Sequence, residues 1–135
     1  MQIMSREDFN YSSVLIQDIM TKALITVNLS TTAFQVAKMM EQGGIGAVMV
    51  QDGNSPVGIV TDRDFATRVA ASNLSFDTPV EKIMSSPLIT INHNESISAA
   101  AERMTSKKIR KLAVTENGKV IGIVTSTDLV TQLAK

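Results

Sequence analysis

Two kinds of apolar spacing alternate along the chain, and the alternation happens twice. Short runs rich in β-branched residues, LITV at 24–27 and LITI at 88–91, have strand character. Behind each lies a stretch with apolar residues at i, i+3, i+4 and i+7. These are Ala33, Val36, Ala37 and Met40 in one half, and Ile97, Ala100, Ala101 and Met104 in the other. That spacing predicts an amphipathic helix in both places. Ser30 and Asn94 are suited to cap these helices, and Gly43-Gly44 ends the first of them. Two strand-like runs follow, AVMVQ and PVGIV around Asp52-Gly53-Asn54, then KLAVT and KVIGIV around Asn117-Gly118, a hairpin signal. A final helix carries Phe65, Ala66 and Val69, or Leu129, Val130 and Leu133. Each half reads β-α-β-β-α.

A shift of 64 residues lays 17–70 on 81–134 without a gap. Identical pairs run from Ile19/Ile83 and Met20/Met84 through Met40/Met104 to Thr61/Thr125, Asp64/Asp128 and Ala70/Ala134. The phrase GIVTDRDF at 58–65 returns as GIVTSTDL at 122–129. A gapless register of this length marks two copies of one unit. A unit of about 60 residues is marginal alone, so the two are expected to pack sheet to sheet into one α/β body. The copies are assigned to 13–72 and 80–135, with a linker at 73–79 and a polar tail or docking arm at 1–12.

Composition narrows the chemistry. At 135 residues and 44% apolar content the chain is one soluble domain in size. It shows no apolar run of the length a membrane span needs and no signal peptide, so a cytoplasmic location is expected. Thirteen basic and thirteen acidic residues cancel, which disfavours bulk nucleic-acid binding. With no Cys and a single His, His93, expected in an exposed turn, no metal site is expected. Neither G-x-S-x-G nor GxxxxGK[ST] occurs. Gly43-Gly44-Ile45-Gly46 follows a helix rather than opening one. No catalytic constellation is apparent, and an enzyme is not expected.

Two β-α-β-β-α units, each opening with D/K-I-M and closing with G-I-V-T-x-x-D, resemble a tandem pair of CBS (cystathionine β-synthase) domains from Ser13 to Lys135. The resemblance implies a pseudo-twofold, disc-like Bateman module with two clefts between the repeats, often paired into a homodimer. Members of the family commonly bind adenosine-containing ligands and regulate a partner protein, which is not identifiable from this chain. AMP, ADP or ATP is expected ahead of S-adenosylmethionine or NAD, with no required cofactor.

On that resemblance Asp64 and Asp128 are the candidates for the ribose hydroxyls, since a carboxylate accepts two hydrogen bonds at once. An acidic residue in a first helical turn is equally explained by the helix dipole. Thr61 and Thr125 can cap the helix that follows or donate to a phosphate held there. Arg63 and Thr127 stand just before the two Asp residues and can add a phosphate contact and a hydroxyl. The halves differ most where KKIRK (107–111) replaces GGIGA (43–47). That run is either a solvated face or, as in relatives, a phosphate contact through Arg110 and Lys111. In the second case the clefts are unequal, with one weaker or empty. Ile25 and Ile89, with Thr21 and Ser85, are candidates to lie against the base, although core strand residues are the simpler reading of both Ile. A small-molecule sensor ranks first, a ligand-independent dimerisation or protein-interaction module second, and nucleic-acid binding through 107–111 a distant third.

Overall fold

The computed structural model describes residues 14–22 and 24–134; the tail expected at 1–12 lies outside them. In chain order the elements are α1 (Ile16–Ile19), β1 (Thr26–Asn28), α2 (Ala33–Gly43), β2 (Ala47–Asp52), β3 (Ser55–Thr61) and the single turn α3 (Asp62–Asp64). A π-helix (Phe65–Ala70) continues α3, and a 3-10 turn occupies Val80–Lys82. Then come β4 (Thr90–Asn92), α4 (Ile97–Lys107), β5 (Lys111–Glu116), β6 (Lys119–Thr125) and α5 (Ser126–Leu133). The mixed α/β architecture and its doubling agree with the sequence reading.

These elements form two compact units. One is Leu24–Leu88, and the other joins the lead-in at 14–22 to 89–134. Each holds a three-stranded sheet, in order β1-β2-β3 or β4-β5-β6, with the first pair parallel and the second antiparallel. A parallel pair needs a crossover, which α2 and α4 supply. In the first unit Ala33 and Val36 of α2 bury against Val48, Val50 and Val60, joined by Val69, Val80 and Ile83. In the second, Ile97, Ala100 and Met104 of α4 bury against Ile91, Leu112, Val114 and Val124, joined by Ile16. The lead-in that precedes each repeat thus fills the core of the other repeat.

Three local expectations shift. Ala37 and Ala101 are exposed, so the buried stripe runs through i, i+3 and i+7 only. Thr32 and Ser96, not Ser30 and Asn94, cap α2 and α4, accepting from the Gln35 and Ala99 N–H groups. The reason is local competition: the Asn28 side-chain oxygen accepts from both the N–H and the hydroxyl of Ser30 (3.1 and 2.7 Å), holding 28–31 as a turn. Finally, the last helix of the first repeat widens to π geometry. There the Thr67 hydroxyl donates to the Arg63 carbonyl (2.9 Å), competing for the acceptor an α-helical ladder would use.

The lead-ins lie directly across the last strands. Ser85 exchanges two backbone hydrogen bonds with Ile59 (2.8 and 3.1 Å), and Thr21 does the same with Ile123 (2.8 and 2.9 Å). A Cβ on Gly58 would stand 2.7 Å from the Met84 sulfur and 2.9 Å from the Ser85 carbonyl oxygen. On Gly122 it would stand 2.7 Å from the Thr21 carbonyl oxygen and 2.9 Å from the Met20 sulfur. The repeated Gly of G-I-V-T and the repeated Met of the lead-in are therefore two sides of one contact. His93, expected in an exposed turn, is half-buried beside the lead-in at 14–22, its Nδ1 2.6 Å from the Gln17 amide oxygen.

The outer edge of β4 is closed by side chains. Arg103 donates to the Thr90 carbonyl (3.1 Å), Glu95 accepts from the Asn92 N–H (2.8 Å), and the two pair with each other at 3.0 Å. The hydrogen bond from Arg103 holds the Glu95 carboxyl below its ordinary value of 4.5.

Two measurements check these contacts. Gly58→Ala and Gly122→Ala are each expected to destabilise by about 1–3 kcal/mol in urea unfolding, through overpacking against backbone; an unchanged midpoint would contradict the crossing. Because the folded pKa of Glu95 is depressed, its contribution is present above pH 4.5 and lost as pH falls through the folded value. The melting temperature of Arg103→Met should therefore fall below that of wild type at neutral pH, and the gap should narrow in acid to what the pH-independent bond to the Thr90 carbonyl contributes.

Candidate functional site

Each repeat ends in a strand-to-helix corner, and the two corners share one frame. Thr61 leaves β3 with extended backbone, and its hydroxyl accepts from the Asp64 N–H (3.4 Å). The Asp64 Oδ2 in return accepts from the Thr61 N–H (2.9 Å) and hydroxyl (3.2 Å). Thr125 and Asp128 repeat this, at 3.2 Å in one direction and 2.9 and 3.1 Å in the other. This reciprocal capping satisfies N–H groups that the start of a helix leaves unpaired. It explains the T-x-x-D spacing in both copies and uses one carboxylate oxygen of each Asp.

The second oxygen separates the corners. Asp64 is 4% exposed. Its Oδ1 accepts from the Ser85 hydroxyl (3.0 Å) and lies 3.6 Å from Arg68 Nε. Arg68 also donates to the Met84 carbonyl (2.7 Å), fastening the π-helix to the lead-in. Asp128 is only half-buried, and no described residue hydrogen-bonds its Oδ1. The repeat register puts Gln132 where Arg68 stands and Thr21 where Ser85 stands, and neither reaches Asp128. One carboxylate is fully engaged within the protein; the other has an acceptor to offer.

Charge separates them too. At the first corner Asp62 adds a carboxylate in the opening turn, beside the exposed Arg63, and the Asp62 N–H donates to the Gly46 carbonyl (3.2 Å). At the second corner Ser126 replaces Asp62 and donates its N–H to the carbonyl of Arg110 (2.8 Å), the residue in the place of Gly46. Arg110 is exposed and Lys111 stands opposite Thr125 in the β5–β6 ladder. Thr125, Ser126 and the exposed Thr127 line up three hydroxyl side chains at the start of an eight-residue helix, a place where an anion is favoured.

The candidate residues fall into two groups. Thr21, Ile89, Arg110, Lys111, Thr125, Thr127 and Asp128 belong to the unit containing 89–134; Ile25, Thr61, Arg63, Asp64 and Ser85 belong to the other. Thr21 thus shares a unit with Asp128, and Ser85 with Asp64, although each precedes the opposite repeat in sequence. Ile89 is half-buried against the core, its carbonyl accepting from Ala113. Ile25, read most simply as a core residue, is instead 40% exposed. The KKIRK run is dispersed: Lys107 ends α4, Lys108 takes a left-handed backbone (φ 56°) that closes it, and Ile109 packs into the core. Arg68 carries a role that the sequence reading missed. Its signal was its place four residues after Asp64 on a helix, where opposite charges meet. Among the described residues no group of three His, Cys, Asp or Glu could hold a metal, and no helix is long and apolar enough to cross a membrane.

Comparison with known proteins follows the same doubling. A profile of the CBS domain matches residues 16–71 and again 80–135. The CBS domain-containing protein YhcV of Bacillus subtilis is 34% identical over 114 residues, covering 84% of this chain and 81% of YhcV. Other relatives are longer, the chain spanning 61% of one and 24% or less of several. A crystal structure from Pyrococcus horikoshii superposes with a TM-score of 0.86 at 32% identity, covering 92% of this chain and 95% of that one. The CBS domain pair of protein MJ0100, in complex with 5′-methylthioadenosine and S-adenosyl-L-methionine, superposes with a TM-score of 0.81 at 28% identity, covering 90% and 96%.

Proposed function

The chain belongs to the CBS domain family, and from that premise we propose that it is a non-catalytic regulatory module binding a phosphorylated adenosine at the Thr125–Asp128 corner. The observation that carries this reading is the uncommitted Oδ1 of Asp128 beside three hydroxyl residues and Arg110. Asp128 accepts from the 2′- and 3′-hydroxyls of the ribose. Arg110 and Lys111 meet the phosphates, with Thr127 donating while Thr125 keeps its proton on Asp128. This favours AMP, ADP or ATP, which end in a free phosphate, over NAD, whose diphosphate is a bridge, and over S-adenosylmethionine, which has no phosphate. Ile89 and Thr21 lie against the base. The adenosyl ligands of the MJ0100 domain pair support the nucleoside class.

In the first unit Asp64 is spent on Thr61, Ser85 and Arg68, and Asp62 opposes an anion. Ile25, Thr61, Arg63 and Ser85 therefore make a weaker or silent counterpart. Ligand binding acts on a partner protein by linkage, stabilising the arrangement it prefers. The module acts in the cytoplasm as a homodimer, for which α5 offers Val130 and Leu133, 61% and 48% exposed at i, i+3 spacing. Those two side chains also favour the second reading, self-association without a ligand.

A thermal-shift panel of AMP, ADP, ATP, NAD and S-adenosylmethionine on wild type, Asp64→Asn and Asp128→Asn tests the proposal. A ligand at about 100 times its Kd adds on the order of 2.7 kcal/mol, a shift of several degrees. One or more of AMP, ADP and ATP should stabilise wild type and Asp64→Asn but leave Asp128→Asn unmoved. No shift with any of the five would leave self-association as the function.

A further inference from the structure

β1 and β4 are edge strands of their sheets, and alternate backbone groups of an edge strand have no ladder partner. Ile25 and Ile89 turn their carbonyls to the neighbouring strand, so Thr26 and Asn28, like Thr90 and Asn92, turn theirs outward. In β4 the outward Thr90 carbonyl receives the Arg103 guanidinium and the outward Asn92 N–H reaches the Glu95 carboxylate, at 3.1 and 2.8 Å. One donor to a carbonyl and one acceptor for the N–H two residues on is what a single residue of an added parallel strand would supply. The ion pair therefore closes this edge in the manner of a further strand.

In β1 the register puts Met39 and Thr31 in the places of Arg103 and Glu95. Met39 has no donor, and the Thr31 hydroxyl is given to the Asn28 side chain (3.1 Å). Among the described residues nothing bonds the Thr26 carbonyl or the Asn28 N–H from outside the sheet. A shallow pocket of about 450 Å³ opens at this spot, lined by Thr26, Asn28, Thr31, Gln35, Met39 and Gln51, none of them charged.

We propose that the β1 edge is a docking site for an extended polypeptide segment of another protein, added as a parallel strand. One residue of that segment donates its N–H to the Thr26 carbonyl and accepts the Asn28 N–H, taking the two roles that Arg103 and Glu95 fill in the other repeat. A neighbouring side chain of the segment enters the pocket, and the neutral lining selects an uncharged one. Main-chain bonds give the affinity and the pocket the selectivity. This site is independent of the Asp128 corner and of any nucleotide.

The test is selection of a random heptapeptide library on wild type and on Thr31→Glu/Met39→Arg, which transfers the β4 closure to β1. Peptides selected on wild type are expected to bind the double variant roughly tenfold or more weakly, the loss of two hydrogen bonds. They should also slow exchange of the Asn28 amide and leave Asn92 unchanged. A second variant, Glu95→Thr/Arg103→Met, opens the β4 edge and should add a further binding equivalent, so the test survives poor folding of the first. Failure to select peptides, equal binding to the double variant, or a variant that changes self-association instead of peptide binding would each overturn the proposal.

Discussion

At Gly58 and Gly122 a lead-in segment crosses the last strand of a sheet so closely that no Cβ fits between them. Close approach of two backbones is a use to which glycine is suited, and here it decides which parts of the chain belong together. Once Met84-Ser85 lies over Gly58, and Met20-Thr21 over Gly122, the segment ahead of each repeat must complete the core of the other. Val80 and Ile83 then fill the first core and Ile16 the second. The chain passes from one unit to the other twice, at 22–24 and at 88–89, and neither unit is a continuous copy of the sequence repeat. The crossing also sets the chemistry, because it brings Ser85 to Asp64 and puts Thr21 in the corresponding place near Asp128.

On that shared frame the two corners have diverged by few substitutions. Arg68 and Ser85 draw the Asp64 carboxylate into a closed set of partners, whereas Gln132 and Thr21 leave one oxygen of Asp128 unclaimed. Asp62 against Ser126, and Gly46 against Arg110, push the local charge in opposite directions. The edges diverge in the opposite sense. The repeat with the open corner has the closed strand edge, and the repeat with the closed corner has the open edge. A duplicated unit has thus kept its packing and redistributed its unsatisfied polar groups, which are the groups available to a ligand or partner.

Much of this was legible in the residues. The apolar periods located the sheets and helices, the gapless register exposed the duplication, and T-x-x-D marked both corners, because all of these are written within a few residues of one another. The exchange of lead-ins was not legible, since aligning one copy on the other preserves the same local pattern whichever sheet a lead-in joins. The caps were displaced by two residues because Asn28 competes for the Ser30 backbone, a contest between neighbours that a preference for Ser or Asn does not resolve. Arg68 was visible as a helical neighbour of Asp64, but its second hold on the Met84 carbonyl comes from residues distant in sequence. The inequality of the corners, read from KKIRK alone, rests as much on Arg68, Ser85 and Asp62.

The most direct test of that inequality is calorimetric titration of whichever of AMP, ADP and ATP stabilises the protein most. It compares wild type with Arg68→Gln/Ser85→Thr, which gives Asp64 the two residues, Gln132 and Thr21, that stand at the corresponding places for Asp128. The account predicts one equivalent bound per wild-type chain and a second, weaker one in the double variant as Asp64 is released, weaker because Asp62 and Gly46 still stand where Ser126 and Arg110 stand in the other corner. Two equivalents in wild type, or a single one that vanishes with Asp64→Asn and survives Asp128→Asn, would contradict it.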